Sequence, residues 1–516
     1  MEFSCDVAII GGAFSGAATA LLLRRRNPAW RVVIVEKAAE FDRKVGESTT
    51  EVSSCFLTRV LGLSSHLAHC QLPKQGLRMW FTRTPEDAFE DNVEIGAMYN
   101  SRLSGFQVDR AALDEHVLSL AVAAGCELWR PAKLQEIELG GAGRNSLTVR
   151  MGEETRVLQA KWVVDASGRA AVIARKLGEL RTLAEHPVNA LWARFMGVKD
   201  WDGVGLRARF PKWADATKTA RGLATNHLMG HGWWCWIIPL KGGDTSIGLV
   251  YDTRIFQPAA GATIGDRLRA HFQTHPVGRE MLGEAVPVPG DQRAFSSLPY
   301  ACERIAGDGW VLAGDASGFI DPLYSPGLDF CSFTAQGAES LVARALAGEE
   351  MKKEIDDYNA RFAFCFRAWF DGIYRDKYFY MGDAELMTAA WLLDIASYHL
   401  GPVRQVYADP ATQFAHFPFD GLPGKGVAAV MKFYNARLAH LGRRKIAAGV
   451  FGDRNAHWRV LVGGFLPDAS VLRLLLRGAL RWLRAEWRNL FLTPLPHPGE
   501  IPTSAAAPQS DYELVK

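Results

Sequence analysis

The stretch CDVAIIGGAFSGAATALLLRRRNPAWRVVIVEK, residues 5–37, constrains the chain more than any other. An apolar β-run meets a turn with two adjacent glycines. A helical run to about Arg26 follows, then a second β-run. Parallel strands need a crossover, so this reads as a βαβ unit at the heart of an α/β sheet. Gly11, Ala13 and Gly16 occupy the three glycine positions of G-x-G-x-x-G, which serve a tight turn, close approach of a pyrophosphate and helix–strand packing. Ala13 departs from glycine, and its methyl narrows the pyrophosphate approach. Glu36 ends the second strand, where an acidic side chain accepts hydrogen bonds from ribose hydroxyls. The apolar run 7–23 approaches the length of a membrane span, but its glycines break it into strand and helix. No basic leader precedes it, so the expectation is a cytoplasmic chain.

At 516 residues the chain exceeds one ordinary core and should form several domains. A net charge of +3 makes no general case for nucleic acid. The eight cysteines are scattered without a C-x-x-C pair, which points to free thiols and no metal site.

Three later stretches extend the dinucleotide site. FQVDRAALDEHVLSL starts a helix at Arg110, KWVVDASG is a strand ending at Asp165, and GWVLAGDASGFIDPLYSPGLDF is a strand breaking at Gly314 and Asp315. In this order they resemble the FAD-dependent oxidoreductases of the glutathione-reductase-like class. The resemblance implies a Rossmann-type FAD-binding domain with Arg110 near the flavin and Asp315 on the ribityl chain or pyrophosphate. No second glycine-rich βα turn is found, so reduced FAD is expected from a separate flavin reductase.

Three further motifs narrow the resemblance. HGWWCWIIPL, residues 231–240, contains Trp234, Trp236, Ile238 and Pro239 as W-x-W-x-I-P. A strand's period of two puts Trp234, Trp236 and Ile238 on one face, and Trp233, Cys235 and Ile237 on the other. Phe319, Pro322, Ser325 and Gly327 form F-x-x-P-x-x-S-x-G, and KVGEST contains Gly46, Glu47 and Ser48. Together these resemble the flavin-dependent halogenases of the tryptophan-halogenase-like family. The family chemistry implies that reduced FAD and oxygen form a flavin hydroperoxide, which chloride or bromide attacks to give hypohalous acid. An amine must then hold that acid against one carbon of an electron-rich ring. LPKQGLRMWF places Lys74 in the context of the family's lysine, and Lys44, just before Gly46, is the competitor. Trp234, Trp236, Phe319 and Pro322 are expected at the substrate side, walling the flavin from it.

Two departures shape the substrate expectation. The tryptophan-specific branch has a glutamate before the motif serine, and here that position is Tyr324. A phenol or pyrrole-like ring, free or carrier-bound, is therefore expected over free tryptophan, with Ser325 and Tyr324 beside the reaction. Position 326 is proline, which has no N–H to offer a halide, leaving Gly327 and Leu328 as donors. A flavin monooxygenase or reductase of the same fold is the alternative.

The fold expected is α/β: residues 1–184 and 301–340 bind FAD, 185–300 form an antiparallel-sheet substrate domain, and 341–493 are helical. Residues 494–516, rich in Pro, Ala and Ser, read as a disordered tail. In VLRLLLRGALRWLRAEWRNLF, Arg473, Arg477, Arg481, Arg484 and Arg488 share one helical face, and Leu472, Leu476, Leu483, Trp487 and Leu490 another. Such a helix could pack on its own domain, dock to an acidic carrier protein, or lie on an anionic membrane through residues 470–491.

Overall fold

A computed structural model describes residues 2–492. The reading of 494–516 as a tail lies outside these residues. The expected βαβ unit forms from strand Glu2–Ile10, helix Phe14–Arg26 and strand Val32–Val35. The two strands pair in parallel, as do Glu2–Ile10 with Glu154–Asp165 and the latter with Trp310–Leu312. Strand Glu127–Trp129 closes the other side. The strand residues on this seam, such as Val7, Ile9, Val33 and Val163, are buried on both faces, as a parallel sheet between helices requires. Its glycine turn is sterically forced. A Cβ on Gly16 would lie 1.9 Å from the Gly11 carbonyl oxygen, and Gly11 itself has φ +94°.

The second sheet is also eight-stranded and mostly antiparallel. The expected hairpin is present: Trp233–Pro239 pairs with Thr245–Asp252 in register Trp233 to Tyr251 through Pro239 to Thr245, around Gly242 and Gly243. The two faces separate as the alternation requires. Trp234, Trp236 and Ile238 join the main core, whereas Cys235 and Ile237 join a second core beneath the sheet. This sheet reaches beyond residues 185–300. Leu77–Phe81 and Val93–Ala97 come from the first third of the chain, and Arg459–Val462 from the region expected to be helical. Each is a run of four or five residues, too short to show a period.

Four long helices complete the molecule: Lys352–Trp369, Ala384–Tyr398, Gly421–Ala447 and Val471–Arg488. Ala384–Tyr398 is apolar nearly all round and is buried as the hub of this layer. Among the described residues, no helix is long and apolar enough to cross a membrane.

Candidate active site

Two cavities meet where the two sheets face the helical layer. The larger, about 360 Å³, is lined by the turn residues Ala13, Gly46, Glu47 and Ser48, by Arg110 and Asp315, and by Ser325, Gly327 and Leu328. Cations Lys44 and Arg169 also border it, as does the opening of helix Phe14–Arg26. A free helix N-terminus and several cations suit a pyrophosphate. Asp315 is half-buried, and desolvation raises its pKa while Arg110, Lys44 and Arg169 oppose the rise.

Gly11, Gly16 and Gly314 shape this chamber from behind. A Cβ on Gly314 would lie 2.1 Å from Ser15 Oγ. Glu36 and Asp165, read from the sequence as cofactor contacts, are not among the lining residues, and both bond to main chain. Glu36 accepts the N–H groups of Gly12 at 2.7 Å and Ala38 at 2.8 Å. Asp165 accepts those of Ser167 at 3.0 Å and Ile173 at 2.7 Å. Each carboxylate fastens a strand-to-helix turn, because these turns leave N–H groups without backbone acceptors.

Trp234, Trp236, Phe319 and Pro322 also line the larger chamber, and none borders the smaller one. The tryptophan face of the strand looks onto the chamber with the glycine turns. Trp234 donates to Tyr378 Oη at 3.0 Å, and Tyr378 to Asp321 at 2.8 Å. Trp236 donates to Ser246 Oγ at 3.0 Å. These indoles are packed and hydrogen-bonded as well as wall-forming.

The smaller chamber, about 100 Å³, is lined by Lys74, Tyr324 and Asp329 together with Trp369, Tyr374, Trp391, Asp394 and Tyr398. Lys74 stands between the two chambers. It is only 6% exposed, and its ammonium donates to Ser48 Oγ and to the Thr49 carbonyl, both at 2.7 Å. Ser48 belongs to the larger chamber's wall and Lys74 to the smaller one's. Burial pushes the Lys74 pKa down to about 8, with Glu51 and Asp329 pulling the other way. Burial likewise pushes Asp329 up to about 6, against hydrogen bonds from Thr50, Ser53 and Tyr398. Lys44 differs in kind: it is 38% exposed and ion-paired with Asp114 at the larger chamber.

The loop 324–328 forms the rest of the partition. Tyr324 and Ser325 have φ of +69° and +61°, a pair of left-handed residues in a bulky sequence. Such conformations cost about 1–3 kcal/mol each and persist only where surroundings hold them. Tyr324 Oη donates to Asp394 at 3.1 Å, the Lys377 ammonium stands 5.0 Å from the Tyr324 ring, and Ser325 N–H donates to the Pro322 carbonyl at 2.9 Å. The twist turns successive residues to opposite sides. Tyr324 and Pro326 line the smaller chamber, and Ser325 and Gly327 the larger. Gly327 then opens helix Gly327–Leu346, whose first N–H groups have no intrahelical acceptor.

Several site residues escaped sequence reading. His227 lines the larger chamber, contacts the Trp234 ring edge-on at 5.1 Å, and has no partner at Nδ1. Burial, with the Lys74 charge, pushes its pKa down to about 3, so the ring is neutral. The alternation of TNHLMG, which puts Thr225 and His227 on one face, was the available signal. Asp329, Asp394 and Lys377 had none, since folding alone brings residues 50, 329, 377, 394, 398 and 434 together.

A parallel-sheet dinucleotide fold, joined to an antiparallel sheet and sharing a partition with a second aromatic chamber, defines a flavoprotein-like architecture. The chain belongs to the tryptophan halogenase family, whose sequence profile matches residues 93–380. Flavin-dependent halogenase chlA of Dictyostelium discoideum is 26% identical over 356 residues, covering 63% of this chain and 57% of its own length. The 1H-pyrrole-2-carbonyl-(peptidyl-carrier protein) chlorinase of Pseudomonas fluorescens is 25% identical over 372 residues, covering 67% of this chain and 78% of that one. Among solved structures, halogenase PltM in complex with phloroglucinol and FAD superposes with TM-score 0.71 at 17% identity, over 93% of this chain and 98% of that chain. The flavin-dependent brominase Bmp2 superposes with TM-score 0.61 at 20% identity, over 84% of this chain and all of that chain.

Proposed function

We propose that this chain is a flavin-dependent halogenase that chlorinates or brominates an electron-rich phenolic or pyrrole-like ring. The observation that carries the reading is the buried Lys74 amine at the partition, hydrogen-bonded to one chamber's wall and lining the other. The larger chamber fits FAD: the turn at Gly46, whose φ of +95° favours glycine, the cations Arg110 and Lys44, and Asp315 would hold it. Reduced flavin bound there, with oxygen and halide, supplies hypohalous acid. No second dinucleotide turn was found in the sequence, so a flavin reductase is the proposed source of reduced FAD.

The chain's own residues then do three things. Gly327 and Leu328 offer main-chain N–H groups to a halide on the larger chamber's side, beside Ser325. Trp234, Trp236 and the strained 324–328 loop keep an organic ring out of that chamber, which disfavours direct oxygenation. Lys74 takes the halogen. Its neutral amine attacks the halogen of hypohalous acid, the O–halogen bond breaks, and hydroxide leaves with the amine proton as water. The ring's carbon next attacks the halogen, the nitrogen–halogen bond breaks with its electron pair on nitrogen, and one proton passes from the ring carbon through the Asp329 carboxylate to that nitrogen, restoring the neutral amine. A pKa of about 8 suits an amine that must lose its proton near neutrality.

Reduced FAD, bromide and a panel of phenols, read by mass spectrometry, test this. Lys74→Ala should consume reduced flavin and oxygen normally but lose halogenated product by about 100-fold or more. Lys74→Arg should not rescue, because guanidinium stays protonated. Lys44→Ala should retain product. Oxygenated product without halogen, or full halogenation by Lys74→Ala, would overturn the reading. A carrier-tethered pyrrole belongs in the panel, because the Pseudomonas fluorescens relative is named for one.

A further inference from the structure

Helix Val471–Arg488 packs on the molecule by the face that carries its smaller apolar residues. Val471, Leu474, Gly478 and Ala485 are buried, and Gly478 lies so close to the helix Ala384–Tyr398 that a Cβ there would meet Leu393 at 2.9 Å. The large apolar side chains point the other way. Leu472, Leu476, Leu480, Leu483 and Trp487 recur at steps of four, four, three and four, and all are more than half exposed, Trp487 at 73%. Leu490 and Phe491 continue the stripe, with Phe491 92% exposed. The neighbouring helix Gly421–Ala447 widens it with exposed Val430 and with Phe433, whose ring meets Trp482. Of the three readings open for this helix, packing on its own domain holds for the inner face and not for the leucine and tryptophan stripe. It is turned outward because small residues were needed for the close helix–helix contact on the inner side.

Arginines run along one flank of the stripe. Arg473, Arg477 and Arg484 are exposed and have no carboxylate partner among the described residues. Burial and its arginine neighbours push the pKa of Arg481 down, a sign of concentrated positive charge. By contrast, Arg488 and Arg437 are paired with Glu385 and Glu486.

We propose that this face docks the protein onto an anionic membrane surface. A helix lying in the interface buries its apolar side at the acyl boundary and leaves flanking cations at the level of the phosphates. The outward leucine and tryptophan stripe with arginines beside it has that arrangement, and the helix does not meet the requirement for spanning. A second copy of the chain packed antiparallel about a two-fold would bring each unpaired arginine row against its twin. An acidic protein would match the arginines but leave the broad apolar stripe to be matched separately. The docked helix rests directly on Ala384–Tyr398, which carries Trp391, Asp394, Ile395 and Tyr398 of the smaller chamber.

Flotation of the full chain with phosphatidylcholine vesicles, with and without phosphatidylglycerol, tests the proposal. Binding should require phosphatidylglycerol and weaken in high salt. The triple substitution Leu476→Ser, Leu483→Ser and Trp487→Ser should lower vesicle-bound protein by about tenfold or more. Arg473→Gln with Arg477→Gln and Arg484→Gln should remove the dependence on phosphatidylglycerol. All six side chains are exposed, so flavin retention and thermal melting should match the parent. Equal flotation of the triple serine variant, or binding indifferent to anionic lipid, would overturn it. So would salt-sensitive capture by an acidic carrier protein, or a dimer lost in the serine variant, where vesicles bind neither form.

Discussion

The two chambers are built from different materials. The larger combines side-chain walls such as Trp234 and Trp236 with tight main-chain turns behind it: Gly11, Gly16, Gly46 and Gly314 stand where a Cβ would strike a neighbour, and helix ends border the space. The smaller takes its shape from residues of six separated segments. Beside Asp329 it holds a second buried carboxylate, Asp394, which accepts from Lys377 at 2.6 Å, Tyr434 at 2.7 Å and Tyr324 at 3.1 Å. A main-chain site tolerates changes in nearby side chains but no added bulk at its glycines. A side-chain site can be retuned for a new ring, at the risk of leaving a buried charge unpaired. Within one family, the first kind of site suits an invariable cofactor and the second a variable substrate.

This contrast can be broken at its strongest point first. Gly16→Val should abolish FAD binding, measured by retained flavin absorbance, because its Cβ would sit 1.9 Å from the Gly11 oxygen. Normal flavin retention would show that the turn is not a main-chain cradle. On the other side, Asp394→Ala strands the fully buried Lys377 ammonium and should cost about 3–5 kcal/mol in chemical unfolding. Its surviving folded fraction should still bind FAD. If flavin affinity and stability fall together, the chambers are one unit.

Lys74 links the two chambers, and pH should report on it. Because burial lowers its pKa to about 8, the neutral amine becomes more populated as pH rises through that value. Halogenated product per reduced flavin consumed should rise about tenfold between pH 7 and 9 if the neutral form takes the halogen. A flat or falling profile would assign the work to the ammonium as a hydrogen-bond donor. The smallest effect belongs to Trp234→Phe. It removes the hydrogen bond to Tyr378 and should cost about 1 kcal/mol of stability while leaving FAD in place. A loss of flavin there would make the indole a cofactor contact more than a wall.

Local pattern determined much of this protein. The βαβ unit, the Gly16 contact, the alternation of Trp234 and Trp236 against Cys235, and the hairpin at Gly242 and Gly243 all depend on residues within a few tens of positions. Steric exclusion and the two-residue strand period act over such distances, so they are written in the sequence. Lys74 was readable only through its motif context, and its distinction from Lys44 came from burial, which no local pattern encodes. Tertiary structure alone decided that Trp234 and Trp236 face the larger chamber and that Glu36 and Asp165 fasten turns. It also brought Asp329, Lys377 and Asp394 together, and turned the leucine stripe of the last helix outward. Each of these outcomes depends on which surfaces meet across hundreds of residues. Packing at one small glycine, Gly478, can reverse which face of a helix is hidden.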